Sequence, residues 1–193
     1  TDKGIINLGL ANNAISSLED ASELVVIFDE VEPDPSLSTL EKAIAIGQSS
    51  KCTGVIGYGG GSSMDVAKLT SLILGSSENL DSIWGVGAAR GPRLPLVLVP
   101  TTAGTGSEVT PVSIITVGES EKRGVSSSII LPDLAILDPL LTIGLPQKIT
   151  AATGIDAMVH AIEAYSSKNK NNNPISRMYA IEALKLLIGS IDK

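Results

Sequence analysis

The sequence predicts an α/β protein in which a mostly parallel sheet is followed by the start of an all-helical domain. Three observations carry that prediction. Short apolar runs alternate with helically spaced segments along most of the chain. Two glycine-rich turns directly follow such runs, the context in which open α/β sheets bind ligands. After Asp138-Pro139 the β-branched runs stop and the pattern becomes helical.

In chain order, Leu24–Phe28, Gly54–Tyr58, Leu94–Val99, Val112–Thr116 and Leu134–Leu137 read as buried strands. They are brief, mostly rich in β-branched residues, and bounded by Gly, Pro or Asp. Ser36–Gln48 carries apolar residues at helical spacing, and Ser62–Leu74 does so after a glycine cluster. Such alternation favours parallel strands with helical crossovers. From Pro146 onward three helices are expected, over Gln147–Thr153, Ile155–Tyr165 and Ile175–Ile188. The boundary is placed at residue 145, giving an α/β domain over 1–145 and the first helices of a second domain over 146–193. The polar run Lys168-Asn169-Lys170-Asn171-Asn172-Asn173-Pro174 reads as an exposed loop.

Composition narrows the function classes. The 193 residues are 43% hydrophobic and 18% charged, enough to bury a core. A net charge of −7 with scattered basic residues argues against nucleic acid or an anionic membrane as a partner. Cys52 is the only cysteine, which excludes an intrachain disulfide and fits a cytoplasmic setting. No apolar run is long enough to span a bilayer as a helix, and Thr1-Asp2-Lys3-Gly4 has no mark of a signal peptide. The absent initiator methionine suggests a missing beginning.

Two segments suit phosphate. Gly57-Tyr58-Gly59-Gly60-Gly61-Ser62-Ser63-Met64-Asp65 leaves a strand and opens a helix, where bare N–H groups and the helix dipole favour anions. Ser62 and Asp65 have capping-box spacing, so the segment starts a helix with or without a ligand. It is neither G-x-G-x-x-G nor a P-loop. Pro100-Thr101-Thr102-Ala103-Gly104-Thr105-Gly106-Ser107-Glu108 is a second loop after a strand, dense in glycines and hydroxyls.

A metal-suited pair lies further on. Asp156 stands four residues before His160, the only histidine, so one helix face carries a carboxylate and an imidazole. That is half of a site for Fe²⁺ or Zn²⁺. Equally, Asp156 can answer the helix dipole while His160 pairs with it. Glu163 shares the face, as a further ligand, an acceptor for the imidazole, or a solvated residue.

These segments, together with Leu131-Pro132-Asp133-Leu134-Ala135-Ile136-Leu137-Asp138-Pro139, resemble the iron-containing (group III) alcohol dehydrogenase family over essentially the whole chain. The family is related to glycerol dehydrogenase and dehydroquinate synthase. The resemblance implies a dehydroquinate synthase-like fold with an active site between an NAD-binding α/β domain and a metal-binding helical domain. It implies that Gly60, Gly61 and Ser62 hold the pyrophosphate with Asp65 nearby, and that Thr101, Thr102 and Thr105 line the cofactor cleft. Lys122, sixteen residues before Asp138, matches a lysine that reaches the cofactor ribose; outside that context it is an ordinary turn lysine. Asp2 matches the carboxylate that accepts from the adenosine ribose 2′-OH, which favours NAD over NADP; otherwise it is a solvated terminal residue.

Asp156 and His160 match the first two of four metal ligands, the others being histidines on later helices. The implied reaction moves a hydride between an alcohol or aldehyde and NAD(H), assisted by iron or zinc, in a homo-oligomer. The resemblance also implies an internal fragment that lacks the first strand and most of the helical domain. Such a fragment is expected to fold marginally, bind metal weakly and turn over no alcohol. The alternatives are a nucleotide-binding module without metal chemistry and a zinc polyol dehydrogenase of the same superfamily.

Overall fold

The computed structural model describes residues 1–21 and 24–191. The chain divides into two compact units. One comprises Thr1–Thr101 and Ser107–Leu141, the other Thr102–Gly106 and Thr142–Lys193.

The first unit is α/β. Helices α1 (Lys3–Asn7) and α2 (Asn12–Ala21) precede α3 (Leu37–Ser49), β1 (Val55–Gly59) and α4 (Gly61–Ser76). Then come β2 (Gly85–Val86), β3 (Leu96–Pro100), β4 (Val112–Val117), β5 (Glu121–Ser126) and β6 (Leu134–Ala135). A fully parallel sheet has the order β1-β3-β6, with Val55 opposite Leu96 and Gly59 opposite Pro100. A second sheet, β2-β5-β4, contains an antiparallel β4–β5 hairpin in which Thr116 pairs with Lys122. The expected strand at Val112–Thr116 therefore exists but lies outside the parallel sheet. Its partner β5 escapes sequence reading because Glu-Lys-Arg-Gly at its start lacks apolar alternation.

Helix α3 begins where Ser36 accepts a hydrogen bond from the Thr39 amide at 3.2 Å. Its Leu40 and Ile44 pack with Val66, Leu69, Leu72 and Ile73 of α4 and with Ile115 and Val125 of the hairpin. Met64 and Ala67 of α4 pack against Leu96 and Leu98 of β3. Helix α4 is thus covered nearly all round, which explains its near-continuous apolar run. A smaller cluster joins Ile5, Ala11, Tyr58 and Val99, and Tyr58 donates its hydroxyl to the Leu10 carbonyl at 2.7 Å.

The expected strand Leu24–Phe28 is absent; the segment carries no ladder and leaves Leu24, Val26 and Ile27 exposed. Its β propensity is real, but a strand needs a neighbour. Among the described residues, the Thr1 amino group donates to Phe28 O, Val31 N donates to Thr1 O, and Asp2 forms an isolated bridge with Glu30.

The second unit contains α5 (Gln147–Ser166) and α6 (Pro174–Ile188), packed on each other. Two helices were expected before residue 166, yet α5 runs unbroken through Gly154. A mid-helix glycine costs about 1 kcal/mol relative to alanine, and neighbouring turns outweigh it. The predicted polar loop 168–174 ends in Asn173, which caps α6 through a reciprocal pair with Ser176 and precedes a proline in the first turn. No helix among the described residues is long and apolar enough to cross a membrane.

Candidate functional site

The two glycine-rich segments leave adjacent strand ends. Gly59 and Pro100 are register partners, and the Thr101 amide donates to the Gly59 carbonyl at 3.0 Å, extending the ladder by one residue. Thr101 is buried by this arrangement. Gly59 has φ +144°, a conformation that favours glycine, and a methyl group there would lie 2.7 Å from Ser63 Oγ.

Helix α4 starts differently from the sequence expectation. Its N-cap is Gly60, which offers no side-chain cap, and no Ser62–Asp65 capping box forms. The helix begins two residues earlier than that spacing implies, which leaves Asp65 in its second turn with its carboxylate engaged elsewhere. Its Oδ1 accepts from Ser107 Oγ at 2.7 Å and its Oδ2 from the Ile114 amide at 3.0 Å. Gly60 gives the first turn of this sixteen-residue helix no side-chain cap, an arrangement that suits an anion at its N–H groups. Gly60, Gly61 and Ser62 occupy that turn and are partly accessible.

Sequence reasoning missed Lys68. It is 0% exposed, donates to Ser107 Oγ at 2.8 Å and to Val112 O at 2.7 Å, and stands 3.6 Å from Asp65 Oδ1. Burial lowers the Lys68 ammonium pKa against the pull of Asp65, and burial raises the Asp65 carboxyl against the pull of Lys68. The relay Lys68–Ser107–Asp65 pins the far end of the threonine loop to α4. A lysine three residues after an aspartate inside an apolar helix was the available signal.

Asp2 caps α1, its Oδ1 accepting from the Ile5 amide at 3.0 Å. It is half-buried. Its Oδ2 lies 3.5 Å from where a Gly59 side chain would begin, so the carboxylate sits beside the glycine turn. Lys122 lies on β5 and forms an ion pair with Asp34. Thr102 and Thr105 belong to the loop segment that clusters with the helical unit.

On α5, His160 Nε2 lies 3.7 Å from Asp156 Oδ1, with side chains 51% and 46% exposed respectively. One oxygen and one imidazole nitrogen, converging from successive turns, form a donor pair that fits Fe²⁺ or Zn²⁺. Glu163 is exposed on the same helix. No group of three or more His, Cys, Asp or Glu residues suited to a metal occurs among the described residues.

A parallel sheet with glycine-rich turns at neighbouring strand ends, followed by a helix bearing an Asp/His pair, places the chain in the α/β class with a helical unit after the sheet. The sequence model for iron-containing alcohol dehydrogenase matches residues 1–139, and that for the C-terminal part of the Fe-containing alcohol dehydrogenase family matches 150–193. The chain belongs to the iron-containing alcohol dehydrogenase family. It is 40% identical over 196 aligned positions to long-chain-alcohol dehydrogenase 1 of Geobacillus thermodenitrificans, covering 100% of this chain and 49% of that protein. Among solved structures it resembles a 1,3-propanediol oxidoreductase, with TM-score 0.92, 37% identity, and coverage of 98% of this chain and 50% of that one. It also resembles sulfoacetaldehyde reductase from Bifidobacterium kashiwanohense, solved in complex with NAD⁺, with TM-score 0.87, 35% identity, and coverage of 98% and 50%. The chain spans about half the length of the curated relatives it matches.

Proposed function

We propose that the complete protein transfers a hydride between an alcohol or aldehyde and NAD(H) with the help of a divalent metal, iron being favoured over zinc. The observation that carries this reading is the convergence of Asp156 and His160 on α5 in a chain that also has two phosphate-suited turns at neighbouring strand ends. Residues 1–145 would hold the cofactor, and residues 146–193 would open the metal-binding helical domain. Cytoplasmic location, homo-oligomeric assembly and a small alcohol or aldehyde substrate belong to the same proposal.

Each residue has a role in that reading. The uncapped first turn at Gly60, Gly61 and Ser62 takes the pyrophosphate through backbone N–H groups. Asp65 supports this turn from behind, because its carboxylate is already engaged by Ser107 and Ile114. Asp2 accepts from the ribose 2′-OH and repels a 2′-phosphate. Thr101, Thr102 and Thr105 border the cofactor, and Lys122 reaches it by exchanging its Asp34 partner for the ribose. Asp156 and His160 would hold the metal, which would supply Lewis acidity toward an alcohol or carbonyl oxygen, with NAD(H) as the hydride acceptor or donor.

A second reading rests on the two glycine-rich turns at neighbouring strand ends alone. In that reading the protein binds a nucleotide without metal chemistry. Removing metal from the full-length gene product separates the two. The dehydrogenase reading expects alcohol-dependent NADH formation to vanish and return with Fe²⁺, while NADH binding persists throughout. Nucleotide binding with no alcohol oxidation at any metal loading supports the binding module instead.

A further inference from the structure

The loop Thr102–Gly106 and helix α5 belong to one compact unit, and they meet at Gly104. A methyl group on Gly104 would lie 2.6 Å from the Thr153 carbonyl oxygen, 2.7 Å from Thr153 Cβ and 3.0 Å from the Thr153 carbonyl carbon. None of these atoms is the far end of a flexible side chain. Thr153 is also held in place, since its Oγ1 donates to Ile149 O at 2.9 Å and to Thr150 O at 3.2 Å within the helix. A side chain at 104 must therefore displace either the loop or the α5 backbone.

The nearby glycine at 106 has a different basis. Gly106 has φ +63° with nothing close to its missing side chain, so conformation explains it. Gly104 has no left-handed φ, and close approach alone explains it. Thr153 stands one helical turn before Asp156 and two before His160. The loop that bears Thr102 and Thr105 is thus seated on the same rigid helix that bears both metal-suited side chains.

Resting on the function proposed above, we infer that Gly104 is a positioning residue: its bare backbone against Thr153 seats the loop bearing Thr102 and Thr105 directly on the helix that bears Asp156 and His160. Both metal-suited side chains ride on α5, so a displaced loop leaves them together. Hydride transfer depends on the spacing of the reacting centres, and a misplacement of about 1 Å can cost about 100-fold in rate.

The test uses the full-length gene product loaded with Fe²⁺, comparing Gly104→Ala with Gly144→Ala, a glycine of the same unit with open space around it and no left-handed φ. The expected result for Gly104→Ala is a kcat lower by about 100-fold and an NADH Kd, read by fluorescence, weaker by about tenfold. Metal stoichiometry and thermal midpoint stay at the wild-type values, and Gly144→Ala changes neither kcat nor Kd. Wild-type kcat and NADH Kd in Gly104→Ala would overturn the proposal. Loss of bound metal or of the cooperative transition would also overturn it, by reducing Gly104 to a packing residue. Should the wild type bind NADH yet oxidise no alcohol, the functional reading fails, and the NADH Kd of Gly104→Ala still decides the positioning role.

Discussion

Asp2 joins a structural role, the α1 cap, to the chemical role proposed for it. One oxygen caps α1 and the other faces the glycine turn, so the carboxylate is oriented before any cofactor arrives. Asp2→Gly in the full-length gene product is expected to raise KM for NAD and improve use of NADP; an unchanged ratio of kcat/KM for the two cofactors would contradict the assignment. Asp133 illustrates a purely structural carboxylate. Arg93 binds it in two places, at 2.7 and 2.9 Å, and the Leu96 amide donates to it at 2.8 Å. These contacts hold its pKa at about 2, below the ordinary 3.8. A carboxyl depressed on folding adds stability above its unfolded pKa and loses it as pH falls through the folded value, here from about pH 4 down to about 2. Arg93→Met is therefore expected to move the acid-unfolding midpoint to higher pH, with little added pH dependence above pH 5. An unmoved midpoint would show that solvent screening cancels the pair.

At the scale of elements, sequence pattern located α3, α4, β1 and β3 because periodicity and turn residues agree there with tertiary packing. It failed where a neighbour decides the outcome. Leu24–Phe28 has strand composition without a strand beside it, and β5 is a polar strand made by its hairpin. Gly154 looks like a break but lies inside α5. The Asp156–His160 pair was legible because i,i+4 spacing fixes its geometry within one element. The Lys68–Ser107–Asp65 relay was not, because its partners lie 39 and 42 residues apart in sequence. Lys68→Met conserves much of the volume but leaves Asp65 buried without its cation, so a loss of about 3 kcal/mol is expected from chemical denaturation. Adding Asp65→Asn is expected to recover part of that loss; strict additivity of the two substitutions would contradict a coupled cluster.

For the whole molecule, the two units differ in how much they bury. The α/β unit has a continuous core and a phosphate-suited strand edge. The helical unit buries little, with Ala161 and Ala180 as the buried residues of α5 and α6, yet it holds the side chains proposed to bind metal. Asp156 and His160 are the two ligands proposed for the metal. The most direct test strips metal from the full-length gene product and its His160→Ala variant, then follows NADH formation from a primary alcohol during Fe²⁺ titration. The account predicts that the wild type regains activity at about one equivalent of Fe²⁺, whereas His160→Ala stays inactive there while still binding NADH. Full activity in the stripped wild type, or the same Fe²⁺ response in His160→Ala, would contradict it.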